Sequence, residues 1–292
     1  MNIVQRRKTW FTISIVIIMI GLLAMPINAI LGRGALNFDV QFVGGTEIQI
    51  GIGEDFDNND VSSIIKEITG QTAPQVQRVL GKDEVNVKLK TIDAEVKKSL
   101  EGAIVAKYPS GKFLEVNTVS ATISSEMQQT AILAVFIACL AMLIYITIRF
   151  KDWKSGVSAI LSLLHDVLIV LGVYALLRIP VNTSFIAAIL TILGYSINNT
   201  IVIFDRIREN RNAYRRNDEQ NLVDNSTKQT IGRSINTSLT TLITITSLYI
   251  LGVASIREFA LPIIIGIVGG TYSSIFISTS LWYVFNTKKK SN

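Results

Sequence analysis

The sequence predicts an α-helical membrane bundle of six transmembrane helices, with an α+β domain between the first and second helices. The chain of 292 residues is 49% hydrophobic and only 17% charged, and its mean hydropathy is +0.42. A single soluble core could not enclose that much apolar surface. Six nearly uncharged runs are long enough to meet the ~20 residues that a helix needs to cross hydrocarbon. One long hydrophilic segment separates the first run from the second.

The predicted segments alternate between apolar spans and polar connections. In chain order they are a cytoplasmic N-terminus at 1–9, span 1 at 10–31, an extracytoplasmic domain at 32–126, span 2 at 127–148, span 3 at 155–177, span 4 at 182–204, a cytoplasmic loop with a helix along the headgroups at 205–233, span 5 at 234–256, span 6 at 259–285, and a cytoplasmic tail at 286–292. Span 1 is longer than the apolar core of a signal peptide, and no small-x-small cleavage site follows it. We therefore expect an uncleaved anchor.

Charges in the short loops predict the orientation. The basic clusters that fall on one side are Arg6 to Lys8, Arg149 to Lys154, Arg206 to Arg216 and Lys288 to Lys290. By the positive-inside rule, both termini are cytoplasmic and the domain is outside. Residues 32–127 hold 10 Lys and Arg against 14 Asp and Glu, and the rest of the chain holds 18 against 8. The net charge of +6 therefore comes from basic loops that set the topology and attract anionic lipid of the bilayer. It does not predict binding to nucleic acid.

The hydrophilic segment predicts a small α/β sandwich. Gly44 and Gly45 give the backbone freedom to turn into the first strand, and they are a candidate hinge. The elements predicted from periodicity are strands at 46–52, 76–80, 85–89 and 112–119, with one helix around 61–68 and another ending at 108–109. This βαββαβ order is ferredoxin-like. The segment contains no His and no Cys, and Cys139 lies in span 2, so we predict neither a disulfide nor enzymatic activity.

Spans 3 and 4 contain polar side chains that require an explanation. Asn198 and Asn199 either hydrogen-bond neighbouring helices or line an ion or proton path, and composition favours the first. A charged Asp166 at a helix centre disfavours insertion by roughly 2.5–3.5 kcal/mol, which marks a functional candidate. Since adjacent helical residues point about 100° apart, we expect His165 and Asp166 to contact other helices and not each other. His165 is predicted to be a core histidine bonded to a backbone carbonyl, and no metal or cofactor is expected.

Spans 5 and 6 predict two kinds of helix packing. Gly266, Gly269 and Gly270 form a close-packing face of the small-xxx-small type in span 6. Span 5 carries many hydroxyls, which predict burial against other helices. They are Ser234, Thr237, Ser238, Thr240, Thr241, Thr244, Thr246 and Ser247.

Four sequence stretches are unusual enough to be compared with known families. They read LLHDVLIVLG, GYSINNTIVIFDRIREN, TKQTIGRSINTSLTTL and REFALPIIIGIVGGTYSSI. These stretches resemble the SecF family, the auxiliary subunits of the bacterial Sec protein-export machinery, and the likeness covers the whole chain. The motif positions in span 4 are Gly194, Tyr195, Ser196, Thr200, Phe204, Arg206, Arg208 and Glu209. The resemblance implies half of an RND-type transporter in the bacterial cell membrane. It also implies SecD, the SecYEG channel and a translocating preprotein as partners, with the proton motive force driving late export.

Two positions depart from the family pattern. The family's GYSxNDT has an acid where this chain has Asn199, which carries no proton, and a family Asp before the Gly pair is Gln41 here. Arg233 matches the family's basic residue at the start of span 5. The candidate proton or ion relay residues are Asp166, His165, Asn198, Asn199, Asp205 and Arg233. Asp166 is the only carboxylate within a span, so we predict that it carries the proton if this subunit takes part in coupling.

Two other functions remain open at this stage. A stand-alone RND-type exporter of small molecules would normally need a second transmembrane half, and this chain holds one. A structural membrane scaffold would use its polar groups for packing alone, and Asn199 is compatible with that role.

Overall fold

The computed structural model describes residues 2–71, 75–79, 82–215 and 218–287. The chain divides into two compact units. One contains the residues up to Asn37 together with those from Ile132 onward, and the other is Phe38–Ala131.

The smaller unit contains one antiparallel sheet and two main helices. After the short strand β1 (Asn37–Phe38), its elements are α2 (Val40–Val43), β2 (Gly45–Gly51), α3 (Asn58–Thr69), β3 (Gln75–Arg78), β4 (Glu84–Leu89), α4 (Ala94–Lys107) and β5 (Lys112–Val119). The strand order is β3-β4-β2-β5, and every neighbouring pair is antiparallel. Ile48 of β2 lies opposite Val87 of β4.

Alternating strand residues and one stripe of each helix form the core of this unit. Ile48 and Val87 are fully buried and belong to one cluster with Val61 and Ile65 of α3 and with residues of α4. Helix α3 begins where the Asp57 side chain accepts a hydrogen bond from the Asn59 N–H. Because all these apolar side chains share one cluster, both helices cover the same face of the sheet.

The strand boundaries lie within two residues of those predicted from the sequence. The predicted strand at 112–119 coincides with β5, whereas β3 ends at Arg78 and the predicted end at position 80 lies outside the described residues. Gly44 and Gly45 both have positive φ values, 78° and 136°. A side chain at either position would be strained, and Gly45 also approaches the Leu89 carbonyl oxygen too closely to carry one.

The larger unit contains helices long and apolar enough to cross a membrane. Six such spans occur among the described residues. The helices are α1 (Arg7–Ile30), α5 (Ala121–Phe150), α6 (Trp153–Leu177), α7 (Thr183–Asn210), α8 (Glu219–Leu251), α9 (Ala254–Tyr272) and α10 (Thr279–Thr287), with a two-residue strand β6 (Pro180–Val181) before α7 and a π-helical segment (Ser273–Ser278) joining α9 to α10. Helix α7 packs against α6, α8 and α9, so span 4 lies at the centre.

The separate cytoplasmic helix predicted at 205–233 is not formed. Helix α7 continues to Asn210, a single 3-10 turn follows at Arg211–Ala213, and α8 runs without a break from Glu219. No proline interrupts the two polar ends, so helical bonding continues past the apolar runs. The Asn210 amide donates to Ser226 and Gln229, at 3.0 and 2.9 Å, and this holds the end of α7 against the start of α8.

The predicted burial of the span 5 hydroxyls is wrong for most of them. Ser234 and Ser238 are buried, but the others are half-buried or exposed. The hydroxyls that bond a carbonyl of their own helix three or four residues earlier are those of Thr237, Thr240, Thr241, Thr244 and Ser247. A hydroxyl satisfied by its own backbone needs no neighbouring helix.

Glycines set the closest approaches between helices. A methyl group added at Gly21 of α1 would lie 2.4 Å from the Cα of Gly172 in α6. At Gly266 of α9 it would lie 2.4 to 2.8 Å from three side-chain atoms of Ile192 in α7. Gly269 has room, because its nearest neighbouring atom would be 3.9 Å away.

We expect residues 34–124 to fold alone as a soluble domain without disulfides, because the sheet and both helices share one apolar core. The isolated segment should give a dispersed NMR spectrum and a cooperative unfolding transition. Val87→Ala should lower its free energy of unfolding by roughly 2 kcal/mol through lost burial and a residual cavity. Val105→Ala is the matched control, because Val105 is 42% exposed, and its effect should be small. A collapsed spectrum for the unmodified segment would contradict this expectation.

We expect Gly266→Ala to destabilise the helical unit and Gly269→Ala to be tolerated. Overpacking of a tight contact costs about 1–3 kcal/mol, and Ile192 is almost fully buried, so it has little room to move. Thermal unfolding of the purified full-length chain in detergent measures the difference. Equal melting temperatures for the two variants would mean that α9 does not pack on α7 through Gly266.

Candidate functional site

Asp166 of α6 is the centre of a polar cluster inside the helical unit. Its exposed fraction is 0%. Ser196 of α7 donates a hydrogen bond from Oγ to Asp166 Oδ2 at 2.6 Å, and His165 Nδ1 lies 3.0 Å from Asp166 Oδ1. Both carboxylate oxygens are therefore occupied, one by a neighbouring helix and one by the adjacent residue.

The prediction that His165 and Asp166 do not contact each other is wrong. Their Cα–Cβ bonds diverge, but Nδ1 and Oδ1 are the side-chain atoms close to the backbone, and side chains on a helix lean toward its N-terminus. The other ring nitrogen, His165 Nε2, lies 3.0 Å from Ser14 Oγ of α1. Both polar neighbours of this imidazole are therefore side chains, where a backbone carbonyl was predicted.

The hydrogen-bond chain continues from His165 across α1 and α9. Ser14 Oγ donates to the Tyr272 hydroxyl at 3.3 Å, and that hydroxyl donates to the Trp10 carbonyl at 2.9 Å. The Tyr272 ring also stacks on the imidazole, with centroids 6.0 Å apart.

His165 bridges Asp166 and α1. Its two ring nitrogens contact Asp166 Oδ1 and Ser14 Oγ, each at 3.0 Å, so two ionisable side chains and a hydroxyl lie in one continuous hydrogen-bonded row.

The glycine of α9 that faces this cluster makes the contact with α7 possible. A methyl group at Gly270 would lie 2.9 Å from Ser196 Oγ and 3.4 Å from Asp166 Oδ2.

The π-helical segment begins three residues after Gly270. Ser274 within it donates to the Ser196 carbonyl at 3.2 Å and accepts from Thr200 at 3.0 Å. Single-turn π segments are frequent at functional sites.

Asn199 belongs to a second polar cluster. Its amide donates to Ser238 of α8 at 3.3 Å, and Thr271 of α9 donates to the same hydroxyl at 2.7 Å. Asn199 is buried and links α7, α8 and α9. None of these atoms can gain or lose a proton at accessible pH, so this cluster serves packing.

The other sequence candidates lie away from Asp166. Asn198 and Gly194 are exposed on α7, and the Arg233 side chain is exposed on α8. Asp205 forms a half-exposed ion pair with Arg149 at 3.3 Å. Among the span 4 motif residues, Phe204 is buried, Tyr195 and Arg206 are half-buried, and Arg208 and Glu209 are exposed.

Sequence analysis did not single out Ser14, Tyr272 or Ser274. A hydroxyl in an otherwise apolar span is the only local signal, and span 5 shows that such hydroxyls often bond their own helix. The cluster can hold and move a proton among Asp166, His165 and hydroxyls.

Comparison with known proteins identifies the family. Residues 99–288 match the family described as Protein export membrane protein SecD/SecF, C-terminal. The chain is 34% identical over 295 residues to the Protein translocase subunit SecF of Sebaldella termitidis, covering 99% of this chain and 93% of that protein.

Two longer relatives match over part of their length. The chain is 36% identical over 274 residues to the Protein translocase subunit SecDF of Thermus thermophilus, covering 92% of this chain and 37% of that protein. The crystal structure of SecDF, a translocon-associated membrane protein from Thermus thermophilus, superposes with a TM-score of 0.85 at 33% identity, over 98% of this chain and 39% of that one. The chain therefore belongs to the SecD/SecF family of protein export membrane proteins, as a SecF-type member and a multi-pass membrane protein.

Proposed function

We propose that this chain is an auxiliary subunit of the bacterial Sec protein translocase and makes or breaks no covalent bond itself. Relatives that it matches over nearly their full length are protein translocase subunits. In the SecDF relative, the matched part is 37% of the polypeptide. A separate SecD chain is the partner that supplies the remainder, and the SecYEG channel and a translocating preprotein complete the assembly.

The loop charges support a plasma-membrane protein with both termini in the cytoplasm and residues 32–126 outside. For the external domain we propose the ferredoxin-like fold. Its support is the βαββαβ order of elements, the strand order β3-β4-β2-β5 and the placement of α3 and α4 on one face. A fold of this kind contains no chemistry by itself and suits a binding or lever role.

The proton motive force acts in this proposal through the His165–Asp166 pair. The observation that carries the proposal is the complete burial of Asp166 between α6, α7 and α9, where its only ionisable hydrogen-bond partner within the described residues is His165. Gain or loss of a proton by the pair changes the charge of a buried site, and an uncompensated buried ion costs several kcal/mol. Since Ser14 and Ser196 contact the same pair, a change in protonation alters the contacts of α6 with both α1 and α7.

Asn199 occupies the position at which the family pattern has an acid. It is hydrogen-bonded to Ser238 and cannot carry a proton, so proton transfer in this chain has to use Asp166, or the partner subunit has to supply the acid. Asp166 and Asn199 share no direct hydrogen bond. Ser196, one turn before Asn199 on α7, is the residue that reaches Asp166.

Topology can be tested with reporter fusions. Reporters placed after Lys290 or within residues 217–225 should be active only in the cytoplasm, and reporters within residues 58–98 should be active only outside. The expectation follows from the loop charges. A cytoplasmic signal from the 58–98 region would overturn both the span count and the orientation.

We predict that Asp166→Asn lowers gradient-dependent export to the rate seen when the proton gradient is collapsed. The amide keeps the shape of the side chain and one acceptor for Ser196, but it cannot gain or lose a proton. Asn199→Ala should have the smaller effect, and Asn199→Asp should be tolerated. The measurement is export of a reporter preprotein into inverted vesicles with abundant ATP, with and without the gradient.

The controls distinguish coupling from packing. Each variant is checked for its melting temperature and for co-purification with SecD and SecYEG. A stand-alone exporter would not co-purify with either of them. If Asp166→Asn supports full gradient-dependent export in a strain with intact SecD, then Asp166 is a packing residue and the coupling acid belongs to SecD. If export shows no response to the gradient with the unmodified chain, the subunit is a structural scaffold.

A further inference from the structure

We propose that a single file of internal waters runs along α6 from the basic end of the bundle to Asp166. The inference deepens the proposed function, because it supplies the route by which a proton would reach the His165–Asp166 pair. It is carried by buried hydroxyls that the function described above does not use.

Serines on one face of α6 lead to Asp166. Ser155, Ser158 and Ser162 precede Asp166 at intervals of three, four and four residues. At 100° per residue these four side chains fall within an arc of about 80° on the helix. All three serines are buried, Ser158 and Ser162 completely.

Ser158 and Ser162 have buried hydroxyls with no hydrogen-bond partner among the described residues. Other buried hydroxyls bond their own helix: Ser278 and Thr279 each donate to the carbonyl four residues earlier. The same bond is sterically available to any helical serine. Ser158 and Ser162 make no such bond, and buried polar groups without a protein partner are normally satisfied by water.

The opposite wall of this seam is span 6, which runs antiparallel to α6. The Trp282 indole donates to Asp152 at 2.9 Å, and Gly270 faces Asp166 at the other end. This register places Ser280 at the level of Ser155. Ser280 is also completely buried, and its hydroxyl has no partner among the described residues.

The spacing of the hydroxyls suits bridging waters. Four helical residues rise about 6 Å, and one water with two hydrogen bonds of about 2.8 Å spans nearly that distance. One water between Ser158 and Ser162 and another between Ser162 and Asp166 would therefore complete the bonding of every orphaned hydroxyl on α6. A water needs two to four polar partners, and this seam provides them.

The basic end of the seam opens at a polar turn. Asp152 is half-buried there and accepts from Ser155 Oγ at 2.9 Å. The exposed Lys151 and half-buried Lys154 flank it. The file therefore connects the aqueous side at Asp152, through Ser155, to the buried carboxylate of Asp166.

Cysteine accessibility tests the proposal in the intact complex. The native thiol is removed by Cys139→Ser, and Ser158→Cys and Ser162→Cys are introduced singly. Leu163→Cys is the matched control, since Leu163 is equally buried on the same helix but about 100° from Ser162 and outside the arc of the three serines. Ag⁺ ions are applied to inverted vesicles, which present the cytoplasmic side, and the remaining thiol is titrated with a fluorescent maleimide in SDS.

We expect the cysteines at 158 and 162 to react with Ag⁺ about tenfold faster than the one at 163, because a hydrated thiol ionises and a dry one does not. Equal rates, or faster reaction only from the opposite side of the membrane, would overturn the proposal. The labelling needs no preprotein, so it can succeed even if Asp166 proves to have no part in export.

A second measurement avoids any new reactive group. If the seam were dry, Ser158→Ala and Ser162→Ala would remove buried orphaned hydroxyls and raise the melting temperature. If the waters are present, the same changes remove their partners, and the melting temperature should stay constant or fall, as it should for Ser278→Ala. A rise for both α6 variants would contradict the water file.

Discussion

A carboxylate buried in the helix bundle, with no Lys or Arg bonded to it among the described residues, is the constraint on which the rest of this unit depends. Ser196 donates to one oxygen of Asp166, and His165 Nδ1 contacts the other. Ser196 can reach it because Gly270 has no side chain, and His165 is fixed by Ser14 of α1. The hydrogen bonds of Asp166 and His165 therefore link α6 to α7 and α1, and α9 packs against them where Gly270 has no side chain.

The bundle separates its titratable groups from its purely structural ones. The cluster around Asp166 links α1, α6 and α7 and can change its charge. The cluster around Asn199 links α7, α8 and α9 and cannot. Helix α7 contributes Ser196 to the first and Asn199 to the second, one turn apart.

The parts of the fold that were predicted correctly follow mostly from local patterns of apolar and polar residues. The spans are apolar runs, the strands of the small unit alternate, and its helices repeat every three to four residues. These signals depend on neighbours in sequence, so β5 was predicted at its observed bounds, and the described residues contain the predicted number of helices, six, that are long and apolar enough to cross a membrane. The helix predicted at 205–233 was wrong, since a change of polarity does not end a helix that has good backbone bonds and no proline.

By itself, the sequence determined the six candidate spans, the inserted α/β segment, the presence of Asp166, His165, Asn198 and Asn199 within apolar runs, and the resemblance to one family. Only the tertiary structure decided which of them meet. His165 pairs with Asp166. Asn198 and Asn199 are adjacent in sequence, yet Asn199 is buried and bonds Ser238, whereas Asn198 is exposed. These outcomes depend on side-chain rotamers and on the close approach of helices at Gly21, Gly172, Gly266 and Gly270. The periodicity of a single helix does not show which residues of neighbouring helices pack against it.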